Sequence, residues 1–261
     1  MPLTLSENIF SRRSVAIGIG IILSALLLCF ARAVDSLFLF DDFQNLDALI
    51  HIQGEFVFSP GFWEFVWGGN AGPTGRPVSL FSFAIQADSW PDNPAAFKWI
   101  NLIIHGLNGI LVYLVCRQLC EVLKLQESDT WKIALFSSLI WALHPVHSSV
   151  VLYAVQRMAL LSNFFILLGI FLYLHLRLSI TAEKQIRQLV FMTLVLASTG
   201  LLALFSKENA PSLFFYLLAL EYTLLRETHL PDQRKFFIWR YVVLWLPVAL
   251  LLILPLLFMP K

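Results

Sequence analysis

The sequence predicts an all-α integral membrane protein. About seven transmembrane helices form one module over residues 1–261, and a long outer loop at 35–97 carries short interfacial helices. Three observations predict this. Apolar residues make up 58% of the 261 and charged residues only 13%, a balance that soluble domains do not reach. Several near-continuous apolar runs approach or exceed the ~20 residues that a helix needs to cross ~30 Å of hydrocarbon. The runs are apolar throughout, which excludes the short alternating strands of a transmembrane barrel.

Taken in order, the spans fall at 14–34, 98–117, 132–151, 159–177, 188–205, 210–226 and 240–258. The polar Ser206-Lys207-Glu208-Asn209 divides the fifth from the sixth. The first run, between Arg12-Arg13 and Ala31-Arg32-Ala33, also fits a cleavable signal peptide, although it is longer than a usual apolar region of that kind. Cys29, Cys116 and Cys120 lie within or at the inner ends of spans. They offer no disulfide framework and no spacing with histidine for a metal, so they read as packing residues. With the N-terminus in the cytoplasm, twelve Lys and Arg residues collect on one side and six on the other. Basic residues favour the cytoplasmic face, so the orientation is N-in and C-out. Asp41 and Asp42 then face a periplasm or lumen.

The loop at 35–97 is long for a protein whose other connections are tight, and such loops are functional or disordered. Its aromatic content, including Phe56, Phe58, Phe62, Trp63, Phe65, Trp67 and Trp90, argues against disorder. Short helices at 43–50, 60–67 and 78–86 are expected to lie in the headgroup layer. Gly68-Gly69-Asn70-Ala71-Gly72-Pro73 reads as a turn.

Polar residues elsewhere gather on the same outer side. Asn101 and His105 sit in the outer half of the second span. The third ends in His144-Pro145-Val146-His147, Gln156-Arg157 opens the fourth, and Lys207-Glu208 follows the fifth. Ionisable groups at membrane depth are costly, so they pair or line a functional cavity. Each residue also has a plainer reading. Arg157 and Lys207 suit cations snorkelling at helix ends, His105 suits a packing histidine, and Lys207-Glu208 suits a surface pair. His144 and His147 have a spacing that could hold zinc on a continuous helix, but Pro145 interrupts it. The bias of all of them toward one boundary is the stronger signal.

The order of these motifs resembles a known family. Phe40-Asp41-Asp42 comes first, then Gly75-Arg76-Pro77-Val78-Ser79, then Phe97-Lys98-Trp99-Ile100-Asn101 through His105. His144-Pro145-Val146-His147, Gln156-Arg157 and Lys207-Glu208-Asn209 follow. The chain is similar to the membrane half of the transmembrane and tetratricopeptide-repeat O-mannosyltransferases and their bacterial relatives. These are GT-C class glycosyltransferases, which use polyprenyl-phosphate sugars. The resemblance runs from the first span to about residue 225. Two departures concern sugar specificity: Ser148 and Ser149 stand where eukaryotic members commonly carry an acid, and Val155-Gln156-Arg157-Met158-Ala159 replaces a Gly-Arg-Ala-Asp block. The Gln-Arg-Met variant resembles bacterial members and implies a bacterial inner membrane. No tetratricopeptide repeats follow, so a fragment, a truncated gene and half of a split enzyme are all open.

The resemblance implies transfer of a sugar from a polyprenyl-phosphate donor to a hydroxyl on a protein or glycan acceptor. Asp41 or Asp42 would serve as general base or as ligand to a divalent cation, the one cofactor these acids suggest. Arg157, Lys207 and Arg76 would bind the donor phosphate. His105, His144, His147, Glu208 and Asn101 would contact the substrates. The expected partners are the donor, the acceptor, the lipid bilayer and a C-terminal repeat domain or partner subunit, with no nucleic acid. A non-catalytic membrane scaffold is the main alternative. A transporter would place its charges near the midplane of paired repeats, which this chain does not do.

Overall fold

The computed structural model describes residues 12–69, 72, 75–228 and 230–250, and every regular element among them is helical. Among the described residues, four helices are long and apolar enough to cross a membrane: α1 at Arg12–Phe30, α5 at Pro94–Val122, the run Ala154–Leu178, and α9 at Gln185–Leu204. The third of these opens with one 3-10 turn, Ala154–Gln156, and continues as α8, Arg157–Leu178. These match the first, second, fourth and fifth expected spans. Pro94 starts α5 where its missing N–H is harmless, and the Asn93 side chain accepts the Ala96 N–H.

The other expected spans take different forms. In place of 132–151, helix α6 covers Glu127–Ala142 and a short α7 covers His147–Leu152. Pro145 lacks an amide and restricts His144 before it, so the helix cannot run through. At sixteen residues α6 is about 24 Å long, short of the full hydrocarbon thickness. The sixth is α10 at Ser212–Tyr222, only eleven residues. The seventh begins as α11 at Gln233–Arg240 and a π-helical turn at Tyr241–Trp245, and the part of it past 250 lies outside the described residues.

The outer loop is a folded layer of small helices. Helix α2 spans Asp41–Leu46 and runs into a 3-10 segment at Asp47–Ile52; α3 spans Pro60–Gly68 and α4 Pro77–Ala84. The three expected short helices therefore form, within a few residues of their expected places. They bury Leu46, Leu49, Phe62, Leu80 and Phe83 against Trp90, Phe97, Val155 and Met158. Each such side chain removed from water contributes roughly 1.5–3 kcal/mol, which orders a segment that has few backbone ladders of its own. The layer thus rests on the starts of α5 and α8.

Beneath it, α1 packs on α5 and α6 through Ile22, Leu26, Leu102, Tyr113 and Leu135. A second core joins α8, α9 and α10 through Ile170, Tyr173, Met192, Leu196, Leu213 and Leu217. The three cysteines are free.

Candidate active site

Segment 151–162, from the end of α7 into the first turns of α8, is where Asp42, Asn101 and Arg157 meet. Asn101, on α5, points its amide at the carbonyls of Val151 (3.3 Å), Tyr153 (2.8 Å) and Ala154 (3.4 Å), three acceptors left open where the chain changes direction. Its own oxygen accepts from Arg157 Nε at 3.1 Å. The remaining Arg157 donors reach the Ser82 carbonyl at 2.8 Å and the Phe97 carbonyl at 3.0 Å. The guanidinium also lies over the rings of Phe83 and Phe97. Arg157 is fully buried. It does not snorkel; it ties α4, α5 and α8 together.

The two aspartates part company. Asp42 is completely buried. Its Oδ2 accepts the Leu39 N–H at 3.0 Å and its Oδ1 accepts the Val155 N–H at 2.8 Å. Asp41, first residue of α2, is exposed, and its carboxylate makes no hydrogen bond to the described residues. One acid is thus held by backbone amides and the other is turned outward. Among the described residues, no group of three or more His, Cys, Asp and Glu is placed to hold a metal.

Lys98 is a residue that sequence reasoning passed over. It is fully buried, and its ammonium donates to the Ser36 carbonyl, to Ser36 Oγ (2.7 Å) and to the Leu37 carbonyl (2.7 Å). It therefore anchors the turn that leads into Asp41. A lysine three residues before Asn101 reads from sequence as a cation at a helix end, and its backbone acceptors are distant in the chain.

Arg76 caps α4 from a left-handed backbone, φ 49° and ψ 48°, which costs a non-glycine residue roughly 1–2 kcal/mol. Its guanidinium forms a two-point pair with Glu208, Nε to Oε1 at 3.0 Å and Nη2 to Oε2 at 2.7 Å, and Nη1 touches the Met158 sulfur at 3.2 Å. A Cβ on Gly72 would fall 2.9 Å from Nη2, and the φ of +101° there also demands glycine. The start of α4 is further tied to the end of α9: the Val78 N–H reaches the Phe205 carbonyl at 3.1 Å, and Ser79 Oγ reaches the Ser206 carbonyl at 3.0 Å. Lys207 is thereby held next to the pair. Its ammonium makes no hydrogen bond to the described residues, and its pKa is lowered, first by burial and then by the Arg76 charge, against the opposing pull of Glu208. Ser162 and Asn209 complete this corner with a 2.7 Å hydrogen bond.

The histidines form a separate group around Trp141. His105 is buried, with Nε2 on the Ala142 carbonyl at 2.8 Å and Nδ1 without a hydrogen bond to the described residues. His147 lies 5.2 Å from His105 and 4.6 Å from Trp141, ring to ring. Burial, and then His144, lower the His147 pKa. His144 is exposed and takes the Val146 N–H on Nδ1 at 3.2 Å.

One end of the bundle thus presents an open carboxylate, a half-buried ammonium beside an Arg–Glu pair, and two accessible imidazoles. No family model and no solved structure matches the chain. Curated relatives do match it. Mouse protein O-mannosyl-transferase TMTC4 is 26% identical over 194 residues, 70% of this chain and 26% of that protein. This chain resembles the animal O-mannosyl-transferases. A Caenorhabditis elegans protein O-mannosyl-transferase is 26% identical over 141 residues, 52% of this chain and 20% of its own. Human TMTC4 is 27% identical over 157 residues, 56% of this chain and 21% of its own. The chain spans about a quarter of the length of the curated relatives it matches. These O-mannosyl-transferases are animal proteins, so they lend no support to the bacterial inner membrane expected from Gln156-Arg157-Met158.

Proposed function

We propose that this chain is a GT-C type glycosyltransferase that moves a sugar from a polyprenyl-phosphate donor to a hydroxyl of a protein or glycan acceptor. The observation that carries the reading is Lys207, whose ammonium makes no hydrogen bond to the described residues, beside the Arg76–Glu208 pair and at the same end of the bundle as the open Asp41. A lipid phosphate needs cations to hold it, and an acceptor hydroxyl needs a base. The resemblance to protein O-mannosyl-transferases points the same way.

In this reading Asp41 is the base. Its carboxylate takes the acceptor proton as the acceptor oxygen attacks the anomeric carbon. The bond from that carbon to the phosphate oxygen breaks, and polyprenyl phosphate leaves with the electron pair, inverting the centre. Lys207 stabilises the departing phosphate, with Arg76 sharing its charge between that phosphate and Glu208. His144 and His147 contact the sugar. Asp42, Lys98, Asn101 and Arg157 keep the loop layer in register. Helix α6 makes the third crossing and ends at Ala142, α10 belongs to the sixth and α11 opens the seventh, with the N-terminus cytoplasmic.

The test is to offer the purified chain, in lipid nanodiscs, a polyprenyl-phosphate hexose and a hydroxyl-bearing peptide, and to read the peptide mass. A hexose adduct that disappears in Asp41→Asn supports the proposal. Donor binding without any adduct would sink it.

A further inference from the structure

The outer loop carries a cleft that the proposed chemistry leaves unused. It has a volume of about 520 Å³, within the ~300–1,000 Å³ of ordinary binding clefts. Phe43, Ala48, Ile50, Trp90 and Pro91 make its walls, and Asp47 and His51 are its ionisable groups. Phe43 and Ile50 are about half exposed (46% and 54%), and Trp90 forms a buried floor, tilted against Phe38 and edge-on to Phe43. Apolar surface left open on a layer that otherwise packs well marks an interaction site.

The charge of the loop that carries the cleft says what would fill it. Residues 35–97 hold eight acidic side chains and one basic one, Arg76, in a chain whose formal net charge is only +1. All of these acids except Asp42 are exposed, and Arg76 is already paired with Glu208. None of the seven exposed acids forms a salt bridge among the described residues. A surface this negative repels acidic partners and anionic lipid, and it steers cations toward it. A cleft of aromatic and proline surface suits a polypeptide segment, whose apolar side chains it can hold while a basic residue meets Asp47.

We propose that this cleft docks a basic, hydroxyl-bearing polypeptide segment, with Ile50 and Phe43 gripping its apolar side chains and Asp47 pairing with a Lys or Arg. The proposal rests on the glycosyltransferase reading in one respect: the docked segment would be the acceptor, brought to the face that bears Asp41. Docking itself needs neither donor nor transfer.

The experiment measures fluorescence anisotropy of a short labelled peptide of lysine, threonine and proline, titrated with the full chain in zwitterionic nanodiscs. A peptide with glutamate in place of lysine is the control, and empty nanodiscs are the blank. The lysine peptide is expected to bind at least several-fold more tightly than the glutamate peptide and to weaken as salt rises. Asp47→Asn and Ile50→Ser, both at exposed positions, are expected to weaken it several-fold each without changing thermal unfolding. Equal affinity for the two peptides, or affinity unchanged in both variants, would overturn the proposal. So would equal binding to empty nanodiscs, which would mean that the peptide reads the bilayer. Peptide binding without sugar transfer would count against the enzymatic reading alone. Transfer to a peptide that does not bind the cleft would count against the docking surface alone.

Discussion

Asp42 accepts a backbone N–H on each carboxylate oxygen, one from Leu39 just before it and one from the distant Val155, while Asp41 beside it stays open. An asparagine at 42 has only one acceptor oxygen, so Asp42→Asn would orphan a buried N–H. The expected cost is roughly 1–3 kcal/mol, seen as a lower melting temperature in detergent. Arg157→Lys is expected to cost a similar amount, because one ammonium cannot reach Asn101, Ser82 and Phe97 in the geometry of the planar fork. Unchanged melting in both variants would contradict the latch roles. The sequence expects these residues at one boundary, and the structure brings Asp42 and Arg157 to the start of α8. It does not separate the two aspartates, because neighbours on a helix diverge only once the helix phase is known, and α2 begins at Asp41 itself. Nor does it reveal Arg157 as a buried tie, since two of its acceptors are carbonyls some 60 to 75 residues away in the chain.

At the scale of elements, the break between α6 and α8 carries the outer site. Pro145 makes that break legible in the sequence, whereas the return of the chain through α7 and a 3-10 turn depends on Asn101 meeting three freed carbonyls. His147 sits on this segment with a pKa held below its ordinary 6.5. Between the lowered folded value and 6.5 the unfolded chain binds more protons, so stability rises with pH through that window and is lost as pH falls through it. His147→Gln is therefore expected to flatten the fall in melting temperature below about pH 6.5. An unchanged acid slope would show that the histidine is not desolvated as described. Deeper in the bundle, Gly169 is the contact between α8 and its neighbours: a Cβ there would lie 2.8 Å from Thr199 Oγ1 and 3.2 Å from Leu213. Gly169→Leu is expected to destabilise by about 1–3 kcal/mol through overpacking, read as a lower melting temperature, and no change would contradict that close approach.

Across the whole molecule, Asp42, Asn101, Arg157, Arg76 and Glu208 gather at the end of the bundle where α4, α5 and α8 begin. The opposite end is held by different pairs, Arg117 with Glu127 and Arg177 with Glu221. The all-helical class and the placing of the four long helices are legible because hydrophobic length alone decides them. The short helices past α9 are less so: their apolar runs suit crossing, yet Ser212–Tyr222 is only eleven residues long. In the proposed orientation, cysteines introduced at Asp88 and Lys184 are expected to react with an impermeant maleimide from opposite sides of sealed vesicles. Labelling of both from the same side would overturn the topology.

The central claim is a division of labour between neighbouring acids, and initial rates of sugar transfer for Asp41→Asn and Asp42→Asn test it most directly. With both variants folded and donor saturating, Asp41→Asn is expected to lose transfer altogether. Asp42→Asn should keep a measurable rate at temperatures below its lowered melting point. Full activity in Asp41→Asn, or complete loss confined to a stably folded Asp42→Asn, would contradict the account.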